Sequence, residues 1–350
     1  MPNKDLKGQF KKVFKFGDIL YSEIRPANKR FAYIDFDATD YIASTKLMVL
    51  RNNDKVTNRF LYHYLKSEST IAELQALAES RSGTFPQITF SELSQLEISI
   101  PDIETQLAIS SFIDTLESKI ELNRQINDNL ELQLKLLYKS WFIENQHPDS
   151  KESNLTEIIY FQEGPGIRNW QYVEKDGVKF INIRCIDGGD INLNNANMIS
   201  KEEANGKYAH FMLKPFDIIM SCSGTLGRYA IVRKEHLPLC LNTSVIRFSP
   251  NRSNSDYSYI YGYLASEEFL NKQVEMACGS VQANFGPTHL KQIKLIAPPV
   301  DYCKSYHALA MPIINKILEN RREIQQLQKL RDTLLPKLMS GELKINEIDC

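Results

Sequence analysis

A bias toward either sign of charge is the plainest thing this sequence lacks. Its 42 Lys and Arg face 43 Asp and Glu, a formal charge of -1 with pI about 6.6. No global basic field exists, so nucleic acid would have to be met by a local patch or with a partner's help. Residues 156–300 are equally balanced, with 15 basic against 14 acidic side chains. Six cysteines (Cys185, Cys222, Cys240, Cys278, Cys303, Cys350) are scattered without a CxxC or Cys/His grouping. Reduced thiols and no zinc are the expectation. The opening Met-Pro-Asn-Lys-Asp has no apolar signal region, and no apolar run reaches membrane-spanning length, so a cytoplasmic chain without a membrane partner is expected. No GxxxxGK[ST] loop is present, which excludes a P-loop motor. Asp102, Glu104 and Asp149 are lone carboxylates, and His63, His210 and His289 stand singly. Neither a metal nor a cofactor is expected.

What the sequence has is a stripe. From residue 104 to 142, Ile109, Ile113, Leu116, Ile120, Asn123, Asn127, Leu130, Leu134, Leu137 and Trp141 follow gaps of four and three. That is the period of a coiled-coil seam. Charged residues lie between them, Asp102 is placed as an N-cap, and neither Gly nor Pro interrupts the run before Pro148,. Such a helix would be about 58 Å long. An ordinary core helix is rarely so long with so narrow an apolar face. The seam needs a partner.

The chain repeats it. At a shift of 197 residues, Ile313, Ile317, Asn320, Ile324, Leu327, Leu334 and Leu338 answer Leu116, Ile120, Asn123, Asn127, Leu130, Leu137 and Trp141. An Asn in an apolar seam fixes register when it meets another Asn. Arg331 breaks the second stripe, with Leu330 beside it as a substitute, and Pro312 and Pro336 are expected to begin or kink that helix,. The similarity continues upstream. Tyr62-His63-Tyr64-Leu65 matches Tyr261-Gly262-Tyr263-Leu264, Phe16-Gly17-Asp18-Ile19-Leu20 matches Pro215-Phe216-Asp217-Ile218-Ile219, and residues 91–101 match 289–298. One unit, globular part then long helix, occurs twice.

Within the first unit, strands are expected at 18–24, 31–36, 47–50 and 96–100, with a helix at 59–77. Within the second they are expected at 179–184, 217–221, 229–233 and 245–248, with a helix at 257–275,. Polar residues 146–155 with Pro148 are expected as a linker,. About sixty residues separate Thr156 from Asp217, whereas seventeen precede Asp18. The first unit is therefore expected to be N-terminally shortened.

This arrangement resembles the DNA specificity subunit of type I restriction-modification systems. Residues 100–106 (IPDIETQ) look like that family's junction from domain to helix. Residues 120–142 look like its central spacer, and 330–343 (LRDTLLPKLMSGEL) like its C-terminal end. The resemblance implies two α/β (α+β) target-recognition domains separated by two long antiparallel coiled-coil spacer helices. Its boundaries would be 1–101 for the shortened first domain, 102–145 for the central helix, 146–155 for the linker, 156–300 for the complete second domain and 301–350 for the C-terminal helix and tail. It implies a bipartite double-stranded DNA target, docking of methyltransferase (modification) subunits on the helices, and a restriction subunit joining through the assembly. Two reading heads on a rod of that length would bound the half-site separation at on the order of seventeen base pairs. Intrinsic catalysis is not expected: Ala297-Pro298-Pro299-Val300 lacks both the acceptor and the aromatic of an adenine methyltransferase loop. A decoy subunit that binds the partner without reading a full target is the alternative.

The residues expected to touch DNA lie in the second unit. Arg168, Asn169, Gln171 and Tyr172 follow a Gly-Pro-Gly turn, and Arg pairs with guanine as Asn and Gln do with adenine. A solvent-facing loop around a buried Trp170 is the bland counterpart. Ser223, Thr225 and Arg228 lie in a loop of small hydroxyls suited to phosphate, or in an ordinary turn held by Gly224 and Gly227,. Asn242, Thr243, Ser280, Gln282 and Asn284 sit on polar islands between apolar runs. In the first unit Arg25, Lys29, Arg30 and Arg81 are read first as solvated charge, with contact to the DNA backbone as the alternative. The partner-binding seam is expected at Ile113, Leu116, Ile120, Asn123, Leu130, Leu137, Trp141, Ile313, Ile317, Asn320, Ile324, Leu327 and Leu334.

Overall fold

The structure is a computed structural model that describes residues 10–52, 54–81, 84–194, 196–277 and 284–347. It divides into two compact units, Met1–Asn123 with Glu323–Cys350, and Arg124–Arg322.

The first unit holds β1 (Phe10–Val13), β2 (Ile19–Ser22), β3 (Phe31–Tyr33), β4 (Ile42–Ser44) and β5 (Leu47–Leu50), then α1 (Asn58–Leu65), α2 (Glu68–Arg81) and the short α3 (Phe90–Leu93). The long α4 (Ile103–Lys139) follows, with Asp102 accepting from Thr105 N at 2.8 Å as its N-cap,. Strand β2 is central in an antiparallel β3-β2-β5 sheet. Its inward residues Ile19 and Tyr21 pack with Met48 and Leu50 against Leu65, Leu74 and Ala78 of α1 and α2.

The second unit continues with β6 (Lys151–Asn154), α5 (Leu155–Ile158), β7 (Ile159–Glu163), β8 (Tyr172–Val173), β9 (Val178–Ile181), β10 (Ile186–Asp187), β11 (Asp190–Ile191), β12 (Met198–Ile199) and α6 (Lys201–Asn205). Next come β13 (Ile218–Ser221), β14 (Tyr229–Ile231), β15 (Leu239–Leu241), β16 (Val245–Pro250), α7 (Tyr257–Leu264), α8 (Glu267–Ala277), α9 (Pro287–Leu290), β17 (Lys294–Ala297) and α10 (Val300–Ser340). One sheet runs β14-β13-β16-β7 and a second β15-β9-β12-β8. Ile219, Ala230 and Val245 of the first share a core with Ile181, Leu239 and Leu241 of the second.

The duplication seen in the sequence is a duplication of structure. The β3-β2-β5 order of the first unit is the β14-β13-β16 order of the second, followed in each by two helices, a short helix and a long one. Among the described residues, β7 has no counterpart in the first unit. The helices expected at 59–77 and 257–275 are each two. Ser67 Oγ accepts from Thr70 N at 3.3 Å and Ser266 Oγ from Phe269 N at 3.2 Å. Each serine thus caps a new helix and breaks the old one. Residues 96–100 form no strand, while their counterpart β17 pairs with β6. A strand needs a partner, and no described residue of the first unit takes the place of β6. By the same pairing, residues 151–154 of the expected linker belong to a sheet.

The long helices run antiparallel. In the first unit Ile109 and Ile113 of α4 share an apolar cluster with Leu335, Leu338 and Met339 of α10. In the second, Leu134, Tyr138 and Phe142 pack with Cys303, Tyr306, Ala310, Ile314 and Ile317, and Leu130, Leu137, Trp141 and Ile313 lie half-buried against them. Leu116, Ile120, Asn123 and Asn320 are buried, and Ile324, Leu327 and Leu334 half-buried. Ile314 and Leu335 are more buried than their neighbours Ile313 and Leu334, so the stripe of α10 lies one residue further round at those turns. Leu330 does not replace Arg331. It is exposed, and Arg331 stays inward, 3.4 Å from Glu117. Neither Pro312 nor Pro336 begins or ends α10, which is helical through both. No helix among the described residues is long and apolar enough to cross a membrane.

The buried asparagines pair, though not between the two copies of one position. Asn320 Nδ2 donates to Asn127 Oδ1 at 2.9 Å, and Asn127 Nδ2 to the Ile317 carbonyl at 3.3 Å. Antiparallel packing sets Asn320 against Asn127 rather than its own repeat mate, Asn123, whose Nδ2 instead donates to Glu323 at 2.8 Å. Substituting Asn320→Leu should cost about 1–3 kcal/mol, because it leaves Asn127 Oδ1 buried without its donor. Replacing both Asn127 and Asn320 by Leu should recover most of that loss. Denaturant unfolding of the three chains measures both, and a double variant no more stable than the single one would contradict the pairing.

Candidate nucleic-acid interface

Four loops of the second unit meet where β13 ends. Each is tied to the next by backbone hydrogen bonds. Phe285 N donates to Cys222 O (2.8 Å), Cys222 N to Ser244 O (3.0 Å), Thr243 N to Pro165 O (3.2 Å) and Gly164 N to Val245 O (3.3 Å). Ser223 and Asn284 form an antiparallel bridge. Gly164 is there because nothing larger fits: a Cβ would stand 2.4 Å from the backbone of Asn242. The turn 221–228 closes on itself. Ser221 Oγ donates to Thr225 O (2.7 Å) and accepts from Arg228 N (3.0 Å), while Gly224 and Gly227 take the left-handed φ of +70 and +77,.

This clustering collects most of the expected contacts. Thr225, Arg228, Thr243 and Asn284 are exposed, Ser223 is half-buried and Asn242 buried. Ser280 and Gln282 lie outside the described residues. Arg168 and Asn169 are exposed three and four residues beyond Pro165. Gln171 does not face outward. Its Oε1 accepts from Arg168 N (2.9 Å) and its Nε2 donates to Glu203 (2.7 Å) and to the Tyr208 hydroxyl (2.8 Å). Tyr172 is half-buried, its ring 5.2 Å from that of Phe180. Trp170, which the bland counterpart would bury, is 80% exposed. A Trp beside a Gly-Pro-Gly turn with Arg and Asn as neighbours has no apolar run around it to be buried by, and that was its signal. Two further groups join the cluster. Arg184 is exposed beside Ile183, whose N–H donates to Ser244 Oγ (3.3 Å). Burial raises the Glu163 carboxyl above the usual range, and its hydrogen bond with Thr243 offsets this only in part.

The first unit builds part of this junction; among the described residues it has no counterpart of the loop at 164–167. Ile24 bridges Gln87 as Ser223 bridges Asn284, and Ile88 N donates to Glu23 O (2.9 Å) as Phe285 N does to Cys222 O. Where the second unit uses Gly224 and Gly227, the first places Arg25 and Lys29 at φ of 46 and 52. Non-glycine residues are uncommon in that region. Arg25 also donates to Thr84 O at 3.2 Å, Lys29 is ion-paired with Glu68, and Arg81 with Glu92 at 2.9 Å, while Arg30 is exposed.

His63, Asp114 and Glu117 bring ligand-type atoms within 4.8 Å of one another. Their charge is already matched by cations. Arg59 grips Asp114 at 2.6–2.8 Å, His63 Nε2 lies 2.9 Å from it, and Glu117 is paired with Lys66 and Arg331. The group forms an ion-pair staple between α1, α4 and α10. Burial would raise the Asp114 carboxyl, but hydrogen bonds from His63 and Arg59 outweigh it and hold it at about 2. A depressed acid stabilises the fold above its unfolded value and loses that contribution as pH falls toward its folded one. Wild-type stability should therefore drop between about pH 4 and 2, and Asp114→Asn should flatten that drop while lowering stability at pH 7. Thermal melts across that range test it.

Two repeated α/β units, a partly matching loop junction in each and two paired long helices define a class. The family model described as "Type I restriction modification DNA specificity domain" matches residues 2–132 and 148–329, and the chain belongs to that family. It is 30% identical to the type I restriction enzyme HindI specificity subunit of Haemophilus influenzae, over 97% of this chain and 89% of that protein. It is 23% identical to the MjaIX specificity subunit of Methanocaldococcus jannaschii, over 96% and 80%. The crystal structure of a type I restriction-modification S subunit from M. genitalium shares the fold, with TM-score 0.51 and 20% identity over 95% of this chain and 84% of that one.

Proposed function

We propose that this chain is the DNA-reading subunit of a type I restriction-modification complex, that it binds a bipartite target, and that its helices dock the modification subunits. The observation that carries the reading is the loop at the end of the central strand, tied to the same neighbouring segment in both units. Two sites of one design, each joined to a long helix of a buried pair, suit a target of two short parts. In the second unit Arg228, Thr225, Thr243 and Asn284 supply base-edge and phosphate contacts. In the first, Arg25, Lys29 and Arg30 occupy the equivalent loop and favour phosphate. The recognition parts are residues 1–101 and 156–300, and methyl transfer and cleavage belong to partner subunits.

Mapping of methylated adenines in cells expressing this chain with its modification subunit should find a two-part motif. Arg228→Ala should relax one part and leave the other unchanged. Methylation with no motif would overturn the reading.

Docking is assigned to the outward faces of the helices, because the seam residues are used in pairing α4 with α10. Leu122, Leu132 and Leu136 of α4 are 50–57% exposed and offer apolar contacts without support from the fold. Leu132→Asp with Leu136→Asp should abolish co-purification of the modification subunit from a chain that still folds. Retained co-purification would place docking elsewhere.

A further inference from the structure

Trp170 is more exposed than any other large apolar side chain among the described residues, at 80%. It does not ride on a loose loop. On one side Ile167 is buried with Val178 and Phe180. On the other, the Gln171 carboxamide is 6% exposed and makes its three hydrogen bonds to Arg168 N, Glu203 and Tyr208. Between these anchors Arg168, Asn169 and Trp170 project together. The loop is joined through Pro165 and Thr243 to the junction that carries Arg228 and Asn284.

An indole held out in water from a fixed base presents a flat face at little entropic cost. A protein partner would be met by an apolar patch, but the loop's other apolar member, Ile167, points inward. The exposed neighbours are a guanidinium and a carboxamide, groups that pair with phosphates and base edges. Aromatic stacking on bases and apolar wedges that open a base step are established ways for such a side chain to bind nucleic acid.

We infer that Trp170 stacks on a base of the target duplex and unstacks one base step, with Arg168 and Asn169 holding the adjacent backbone and base edges. The inference rests on the DNA-reading function proposed above and adds a contact that carries no charge. This makes it separable from the phosphate contacts, because only the latter contribute to the salt dependence of binding.

The test uses the full chain in complex with its modification subunit and a duplex carrying the motif found by methylation mapping, with 2-aminopurine placed in turn along the second unit's half. Apart from the methylated adenine itself, whose flipping out for methylation raises fluorescence independently, the wild-type complex should raise fluorescence at one step only. Trp170→Ala should weaken binding by on the order of tenfold or more, the effect of losing one stacked base. It should also abolish the fluorescence rise and leave the salt slope unchanged. Trp170→Phe should retain most of both signals, and Arg168→Ala should reduce the salt slope while keeping the fluorescence rise. A Trp170→Ala complex with wild-type affinity and an unchanged fluorescence profile would overturn the inference while leaving the DNA-reading function intact. Loss of the modification subunit from that variant would overturn it in favour of a protein contact. Absence of any mapped motif would remove the function on which both depend.

Discussion

The apolar stripe of α4 cannot be satisfied by its own unit's sheet, and the rest of the structure follows from how it is covered. Thirty-seven residues of continuous helix with a face one or two side chains wide need a second helix alongside for most of their length. The chain supplies α10, running the other way: Ile109 and Ile113 are buried with its Leu335 and Leu338, and Phe142 with its Tyr306, while Tyr138 packs on Tyr259 and Gly262 of α7. Within that apolar seam the polar groups select the alignment. Asn320 meets Asn127, and Arg331 meets Glu117. A slip by one turn would leave a buried carboxamide without its partner, at a cost of about 1–3 kcal/mol.

Duplication places a closed loop after the same strand in both units, yet its length and chemistry differ. The second junction turns on glycines and presents hydroxyls, amides and Arg228. The first turns on Arg25 and Lys29, holding basic residues in left-handed backbone. A loop that tolerates such residues does so because the surrounding hydrogen bonds, such as Arg25 N to Pro86 O and Lys29 N to Pro26 O, over-determine it,. One scaffold thus carries two surfaces of different composition.

The overall balance of charge is consistent with this division of labour. Many of the cations are used internally. Arg59 and Lys66 hold α4 to α1. Arg233 is buried with Asp190 and Glu235, and Arg322 also grips Glu235, whose carboxyl, despite partial burial, is held down to about 2 by hydrogen bonds from the two arginines.

How far the sequence alone reached depends on the range of the interactions involved. Periodicity is local, so the two long helices, the repeat and strands such as 47–50 could be read from residue spacing, and Asp102 could be read as a cap. The breaks at Ser67 and Ser266 were missed because a serine is a cap only when the chain turns there, and the stretch 96–100 was a strand by composition without a partner to pair with. The interface was legible as a set of polar loops but not as a single place: nothing in the spacing of Pro165, Cys222, Ser244 and Phe285 says that their backbones exchange hydrogen bonds. The same limit hid the inward turn of Gln171, whose carboxamide reaches Glu203 and Tyr208. Sequence determined which residues were available and their order along helix and strand; only the tertiary structure decided which faced water, because burial depends on neighbours far away in the chain.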